Sequence, residues 1–318
     1  MKEFIKQSFP SLYKAYRFNK MKYMDRKAIK YYSELPKSEY ETELKKLYME
    51  RVGVPLDLEH PKRFSEKTQW QKLYGITPLM SRLSDKYEVR SWVEEKIGKE
   101  YLIPLLGAWD SFDDIDFDKL PDSFVLKTNN ASGTNLIVYS KKELNINEAR
   151  KLFNYWLQKP FGLLSGLELQ YCSIKPKIIA EQNMLSGGRE DLPDYKFFCF
   201  DGSVYCSYTT IDYAKDNSQG KMAFFDRDYI LMPVSRADIM TPLRKQLEKP
   251  ENYDKMVEIA ETLSQGFSHV RVDLYNIDGK IYFGEMTFTT HSGFMQFDPD
   301  SFDYELGNLW KLPVDIEK

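Results

Sequence analysis

"VRVDLYNIDGKIYFGEMTFTTHSGF", residues 270–294, places charged side chains inside two runs that are otherwise mostly apolar. Val270–Tyr275 and Lys280–Met286 read as strands, and Asn276–Gly279 as the turn, because Asp-Gly between alternating runs signals a hairpin. A three-residue loop, Ile277-Asp278-Gly279, with Gly279 left-handed, pairs Asp273 with Phe283 and Arg271 with Glu285. Alternation then puts Arg271, Asp273, Phe283, Glu285 and Thr287 on one face, and Val270, Val272, Leu274, Tyr282 and Met286 on the core face. A slip of one residue would turn Glu285 into the core. Two carboxylates on adjacent strands repel unless a cation intervenes. Mg2+ takes carboxylate oxygens together with phosphates, so Asp273 and Glu285 are candidate metal ligands and Thr287 a hydroxyl ligand or neighbour. Arg271 can orient Glu285, or bind a transferring phosphate or a substrate carboxylate.

The rest of the chain bounds the reading. Its 318 residues, 42% hydrophobic and 15% aromatic, suffice for two domains or one large one. A net charge of −3 gives no nucleic-acid signature. No run approaches the ~18–20 apolar residues of a bilayer span, and no signal peptide is evident. Cys172, Cys199 and Cys206 lack metal or redox spacing, and fit a reducing cytoplasm. Charge is uneven: residues 1–31 hold nine Lys/Arg against two Asp/Glu, interleaved with aromatic residues. That arm is either a helix packed on its own domain with a solvated basic face, or a surface that meets anionic lipid or an acidic polymer.

Residues 1–75 read as helices, with starts near Ser38 and Ser65. "SRLSDKYEVRSWVEEKIG" (81–98) reads as one amphipathic helix closed by Gly98. Ser123–Thr128 and Asn135–Tyr139 flank the loop "NNASGT" as a hairpin. Residues 148–158 are a helix, Lys177–Met184 a strand and "LSGGREDLP" (185–193) a loop. Tyr195–Phe200 and Val204–Thr210 form a hairpin across Asp201-Gly202. Residues 250–267 are a helix with Met256, Ile259, Ala260 and Leu263 inward. The organisation is α+β, antiparallel sheets with flanking helices.

Three further segments carry polar groups where strands should be apolar. Lys127 lies within "FVLKTNNASGTN" beside small residues, including Ser132, Gly133 and Thr134, whose backbone N–H groups can face phosphate oxygens. A lysine on an edge strand beside a polar turn is the plainer account, and no Walker A pattern is present. Glu181 and Gln182 end the strand "IIAEQNM", where a carboxylate can hold a nucleoside or simply reach solvent. Asp194 and Lys196 share a face of "DYKFFCF", to hold ribose and phosphate or to pair on the surface.

Read in order, "DKY" (85–87), "VLK" (125–127), "AEQ" (180–182), "DYK" (194–196), "RVD" (271–273) and "GEMT" (284–287) resemble the ATP-grasp superfamily. "FSEKTQW", "LPDSFVLKTNNASG", "DYKFFCFDG" and the opening stretch resemble its TupA-like branch, associated with bacterial surface polysaccharide and teichuronopeptide synthesis. The resemblance covers roughly residues 50–310. It implies an ATP-grasp fold, two α/β subdomains clasping ATP (76–180 and 181–318) after a helical region (1–75). It implies that Lys127 and Lys196 contact ATP phosphates, that Glu181 and the backbone beyond it read adenine, that Asp194 holds ribose, and that Asp273 and Glu285 hold Mg2+. Lys86 lies near the nucleotide, and Thr287 stands where such ligases carry Asn. The activity implied is an ADP-forming carboxylate–amine ligase working through an acylphosphate, with Lys196 and Arg271 stabilising the transferring phosphoryl group. The partners implied are a glycan or sugar-carboxylate acceptor and an amine, in the cytoplasm, peripheral at the inner membrane face if residues 1–31 meet lipid. A glycan kinase, a glycosyltransferase-like enzyme or a nucleotide-binding component of the polysaccharide machinery are the alternatives.

Overall fold

The computed structural model describes residues 10–185, 192–211, 221–237 and 241–313. Residues 1–9 of the basic arm and most of the 185–193 loop lie outside them. Helices α1 (Pro10–Glu34), α2 (Tyr40–Val52) and α3 (Phe64–Trp70) open the chain. Tyr40, Leu44, Leu47, Tyr48 and Trp70 bury one side of this region against Leu167 and Phe294, so it packs on the body of the molecule.

The expected helix over 81–98 is two, α4 (Pro78–Ser84) and α5 (Val89–Lys96). Asp85 breaks it: its carboxylate accepts from the Tyr87 and Glu88 N–H groups, an Asx turn that competes with the helix. The break brings the Lys86 N–H onto Asn129 O.

The first sheet is antiparallel, in the order β1 (Leu105–Trp109), β4 (Ile178–Gln182), β2 (Phe124–Thr128), β3 (Asn135–Val138). Helix α6 (Ile146–Gln158) covers one face, where Phe124, Leu126, Ile178 and Ala180 meet Ala149 and Phe153. The boundary expected at 180/181 falls inside β4, which pairs along its length with β2. Helix α7 (Phe161–Leu164) follows α6.

The second sheet runs in the order β11 (Lys280–Thr287), β10 (His269–Ile277), β5 (Asp194–Phe200), β6 (Ser203–Ile211), β7 (Lys221–Asp226), β9 (Thr241–Pro242), antiparallel except where β9 joins β7, and β8 (Ser235–Arg236) lies outside it. Helix α8 (Tyr253–Ser264) packs Met256, Ile259, Ala260 and Leu263 against one face, as the spacing predicts. Towards α9 (Ser301–Leu309), the other face buries Phe198, Phe200, Cys206 and Phe224 with Phe64, Phe302, Leu306 and Trp310.

The decisive hairpin differs from its expected register. Ile277 pairs with Lys280, so the loop has two residues, Asp278 and Gly279, at φ 51° and 80°. Positive φ at both is the signature of a type I′ turn. Leu274 therefore faces Phe283, and Tyr275 faces Tyr282. A bulge follows, after which Asp273 opposes Glu285 and Arg271 opposes Thr287. Phe283 thus joins the core, and the expected Asp273–Phe283 and Arg271–Glu285 pairings are replaced. Gly284 supplies the extra residue, since a Cβ there would lie 3.0 Å from Asp273 O. Gly284→Ala should therefore lower unfolding stability by about 1–3 kcal/mol, read from the urea midpoint at unchanged slope.

Candidate active site

Pairing of β5 with β10 sets Lys196 beside Asp273 and Asp194 beside Tyr275. Lys196 Nζ lies 2.5 Å from both Asp273 Oδ2 and Asp194 Oδ2. Arg271 grips Asp273 with two prongs, Nε to Oδ1 and Nη2 to Oδ2, each 2.7 Å. The same Nη2 reaches Glu285 Oε1 at 3.0 Å and Thr287 Oγ1 at 3.1 Å. Thr287 donates to Glu285 Oε1. Asp194, Lys196, Arg271, Asp273, Glu285 and Thr287 thus form one network.

Its electrostatics follow from burial and pairing. Burial disfavours the Lys196 and Arg271 charges, but Asp194 and Asp273 hold the amine, and Asp273 the guanidinium, well above their ordinary pKa values. Burial pushes Asp194 up despite Lys196. Crowding by the protein would also raise Glu285, whose side chain is 38% exposed, yet the cations Lys86, Arg271 and Lys196 outweigh it and hold the carboxyl at about 2.

Lys86 reaches Glu285 electrostatically from the first sheet's side. The Asp85 break directs its amine to Ala131 O at 2.7 Å, in the small-residue loop. Asn129 pins the root of that loop, donating to Asp85 Oδ2 and accepting from the Lys177 N–H. Thr134 hydrogen-bonds Thr128, while Ser132 and Gly133 remain exposed at the tip. Lys127 Nζ lies 2.5 Å from Glu181 Oε2, and Arg90 Nη1 lies 3.2 Å from Glu181 Oε1. The Glu181 carboxylate is thus engaged by two cations, while Gln182 is exposed. Arg90 and Gln182 also wall an open groove of about 1010 Å3, with Tyr87, Leu105, Lys280 and Tyr282 among its other residues.

Behind the hairpin lies a turn that pattern reading overlooked. His291, Ser292 and Gly293 are consecutively left-handed, at φ 47°, 54° and 71°. Such strain persists only where the surroundings impose it. Lys72, fully buried, donates to Gly166 O, Ser292 O and Ser292 Oγ at 2.6–3.0 Å. Gln69 donates to Ser292 O and Gly293 O, and the Thr289 hydroxyl bonds buried Glu168. The turn presents His291 to Arg236, whose Nη1 is 2.8 Å from His291 Nε2. A guanidinium only donates, so this nitrogen accepts and the imidazole is neutral. Although the side chain keeps an exposed edge, the protein crowded around its ring and the charges of Arg236 and Arg271 push its pKa well below the ordinary value. The sequence signal for Lys72 was faint: a lysine amid the apolar residues that follow "FSEKTQW".

The cluster suits a nucleotide with magnesium. Among the described residues Asp194 Oδ1 is buried without a hydrogen-bond partner, an acceptor that a ribose hydroxyl would satisfy. Among the described residues, no three His, Cys, Asp or Glu side chains gather as a metal cage. Directly opposed Asp273 and Glu285, with the Thr287 hydroxyl, instead match the one or two carboxylates by which Mg2+ is held alongside substrate phosphates.

Two sheets, antiparallel but for one short edge strand and each carrying lysines and carboxylates, define the architecture of an ATP-grasp protein. The TupA-like ATPgrasp family model matches residues 66–311, and the chain belongs to that family. No curated protein is significantly similar. Solved structures like it include D-alanine–D-alanine ligase from Bacillus anthracis complexed with ATP, at 15% identity over 65% of this chain and 53% of that one, TM-score 0.36. The ADP complex of purK, N5-carboxyaminoimidazole ribonucleotide synthetase, is 15% identical over 70% and 50%, TM-score 0.41. D-cycloserine synthetase DcsG is 16% identical over 74% and 72%, TM-score 0.40. The chain spans about half the length of the Bacillus anthracis ligase. The assignment rests on the family match.

Two outcomes test the network. A carboxyl held at about 2, below its ordinary 4.5, stabilises the fold above the ordinary value and loses that contribution as pH falls through 2. Glu285→Gln should therefore lower stability most near neutral pH, the difference from wild type closing in acid, as followed by urea unfolding at several pH values. Lys72→Met should cost about 1–3 kcal/mol by stranding the buried Gly166 and Ser292 acceptors, read from the same midpoints.

Proposed function

We propose that this protein is an ATP- and Mg2+-dependent ligase that joins a carboxylate to an amine and releases ADP. One observation carries the reading: Asp273, clamped by Arg271 and Lys196, stands across the bulge from Glu285, whose charge Lys86 favours from the break between α4 and α5. Such a cluster holds polyphosphate and offers cations where charge develops on a transferring phosphoryl group. Lys86 and Lys127 bind phosphate oxygens beneath the Ser132–Gly133 tip, and Asp194 takes a ribose hydroxyl. Asp273 and Glu285 would hold magnesium, which when bound would neutralise charge on the phosphates. Arg271 and Lys196 stabilise the equatorial oxygens as an acceptor carboxylate attacks the γ-phosphorus. That step yields an acylphosphate and ADP; the amine then displaces phosphate and loses a proton to give the amide. Absence of a Ser–His or Cys–His pair among the motifs accords with a route that needs no covalent enzyme intermediate. The acceptor we assign is a sugar carboxylate of a bacterial surface polysaccharide, a class suggested by the TupA-like family.

Incubation with ATP, Mg2+ and a panel of uronic acids and amino acids, read by mass spectrometry, should give ADP and amide in equal amounts. Accumulation of a stable sugar phosphate would make it a glycan kinase, and no acceptor-dependent ADP from any member would sink the ligase reading. Asp273→Asn should lower ADP formation by roughly 100-fold or more. In calorimetric titration with a non-hydrolysable ATP analogue, Lys127→Ala should weaken binding more than Lys86→Ala, whose amine also serves Ala131 O.

A further inference from the structure

Helix α1 presents a face that the site does not use. Tyr23, Met24 and Tyr31 are 58%, 59% and 45% exposed, and Arg26, Lys27 and Lys30 are exposed among them. At about 100° per residue these six side chains lie within an arc of about 160°. The opposite side is anchored: Asp25 binds Tyr155 and lies 2.7 Å from Lys159, and the Tyr32 hydroxyl donates to Glu43. The helix's two acids are thereby unequal, since Asp25 turns inward and Glu34 alone lies on the exposed arc, near its middle but at the helix's last residue. Lys27 sits over the Tyr23 ring at 5.3 Å, and the Tyr31 hydroxyl is tied to Glu43 while its ring stays open to solvent. Upstream, Lys2, Lys6, Lys14, Arg17 and Lys20 stand against Glu3 alone.

We propose that this face of α1 docks on an anionic lipid bilayer surface. The basic groups complement acidic headgroups, and the interleaved aromatic rings and methionine enter the boundary between headgroups and acyl chains. A dissolved polyanion would satisfy the cations but leave those apolar bodies in water, which favours the bilayer as occupant. No helix of the described residues is long and apolar enough to cross a membrane.

The test is co-sedimentation of the full chain with vesicles of phosphatidylcholine alone, or with roughly one quarter phosphatidylglycerol. Binding should be at least about tenfold stronger to the anionic vesicles, and should fall on raising salt from roughly 0.1 M to 0.5 M. The triple variant Arg26→Glu, Lys27→Glu, Lys30→Glu should lose it at unchanged Tm, since these side chains are exposed. Tyr23→Ser, Met24→Ser, Tyr31→Ser should weaken binding without changing its salt dependence. Equal binding to both vesicle types, undiminished binding by the charge-reversed variant, or retention on soluble polyglutamate with none on vesicles would overturn the proposal. A charge-reversed variant that misfolds leaves the serine variant and the intact chain to decide.

Discussion

The clamp on Asp273 is the interaction on which the site depends. Its carboxylate is 2% exposed, so an uncompensated charge there would be prohibitive. A bidentate arginine from the same strand and a lysine from the next supply the compensation, with geometry that fixes all three side chains. Glu285, directly opposite, would repel Asp273 were those cations absent. The network therefore holds two acids at hairpin distance, and keeps the cleft face of β5, β10 and β11 polar inside an otherwise aromatic sheet. Its members come from three strands, so the register of the whole edge is bound up with it.

Much of this was legible in alternation. Arg271, Asp273, Glu285 and Thr287 do share one face, and Asp194 and Lys196 lie on the neighbouring strand beside them. What alternation could not show is the bulge. Gly284 reads as an ordinary strand residue, and only its close approach to Asp273 O reveals why the parity shifts. The two errors, a loop one residue too long and a bulge unseen, offset each other in the face assignment of Glu285 but not of Phe283 and Tyr282. The helix break at Asp85 was hidden for a different reason: apolar spacing runs through it, and the side-chain competition that ends α4 is local.

The residues that escaped sequence reading are those acting through tertiary contact. Arg90 lies on α5 yet meets Glu181 on β4; Lys72 lies far upstream of the turn it holds. Periodicity ranks a buried lysine as an anomaly but does not name its partner. The left-handed run at His291–Gly293 was likewise opaque, since only one of its three residues is glycine.

That run couples two parts of the chain. Lys72 and Gln69, from the opening helical region, supply the hydrogen bonds that keep the turn wound, and the turn carries His291 beside Arg236 within the electrostatic reach of Arg271. Seating of the opening helices and winding of the turn are therefore one equilibrium. By reciprocity, anything bound against the wound turn tightens that seating by the same factor that the seating lends to its own affinity. The opening helices thus behave as an internal ligand of the turn, covalently tethered and already in place.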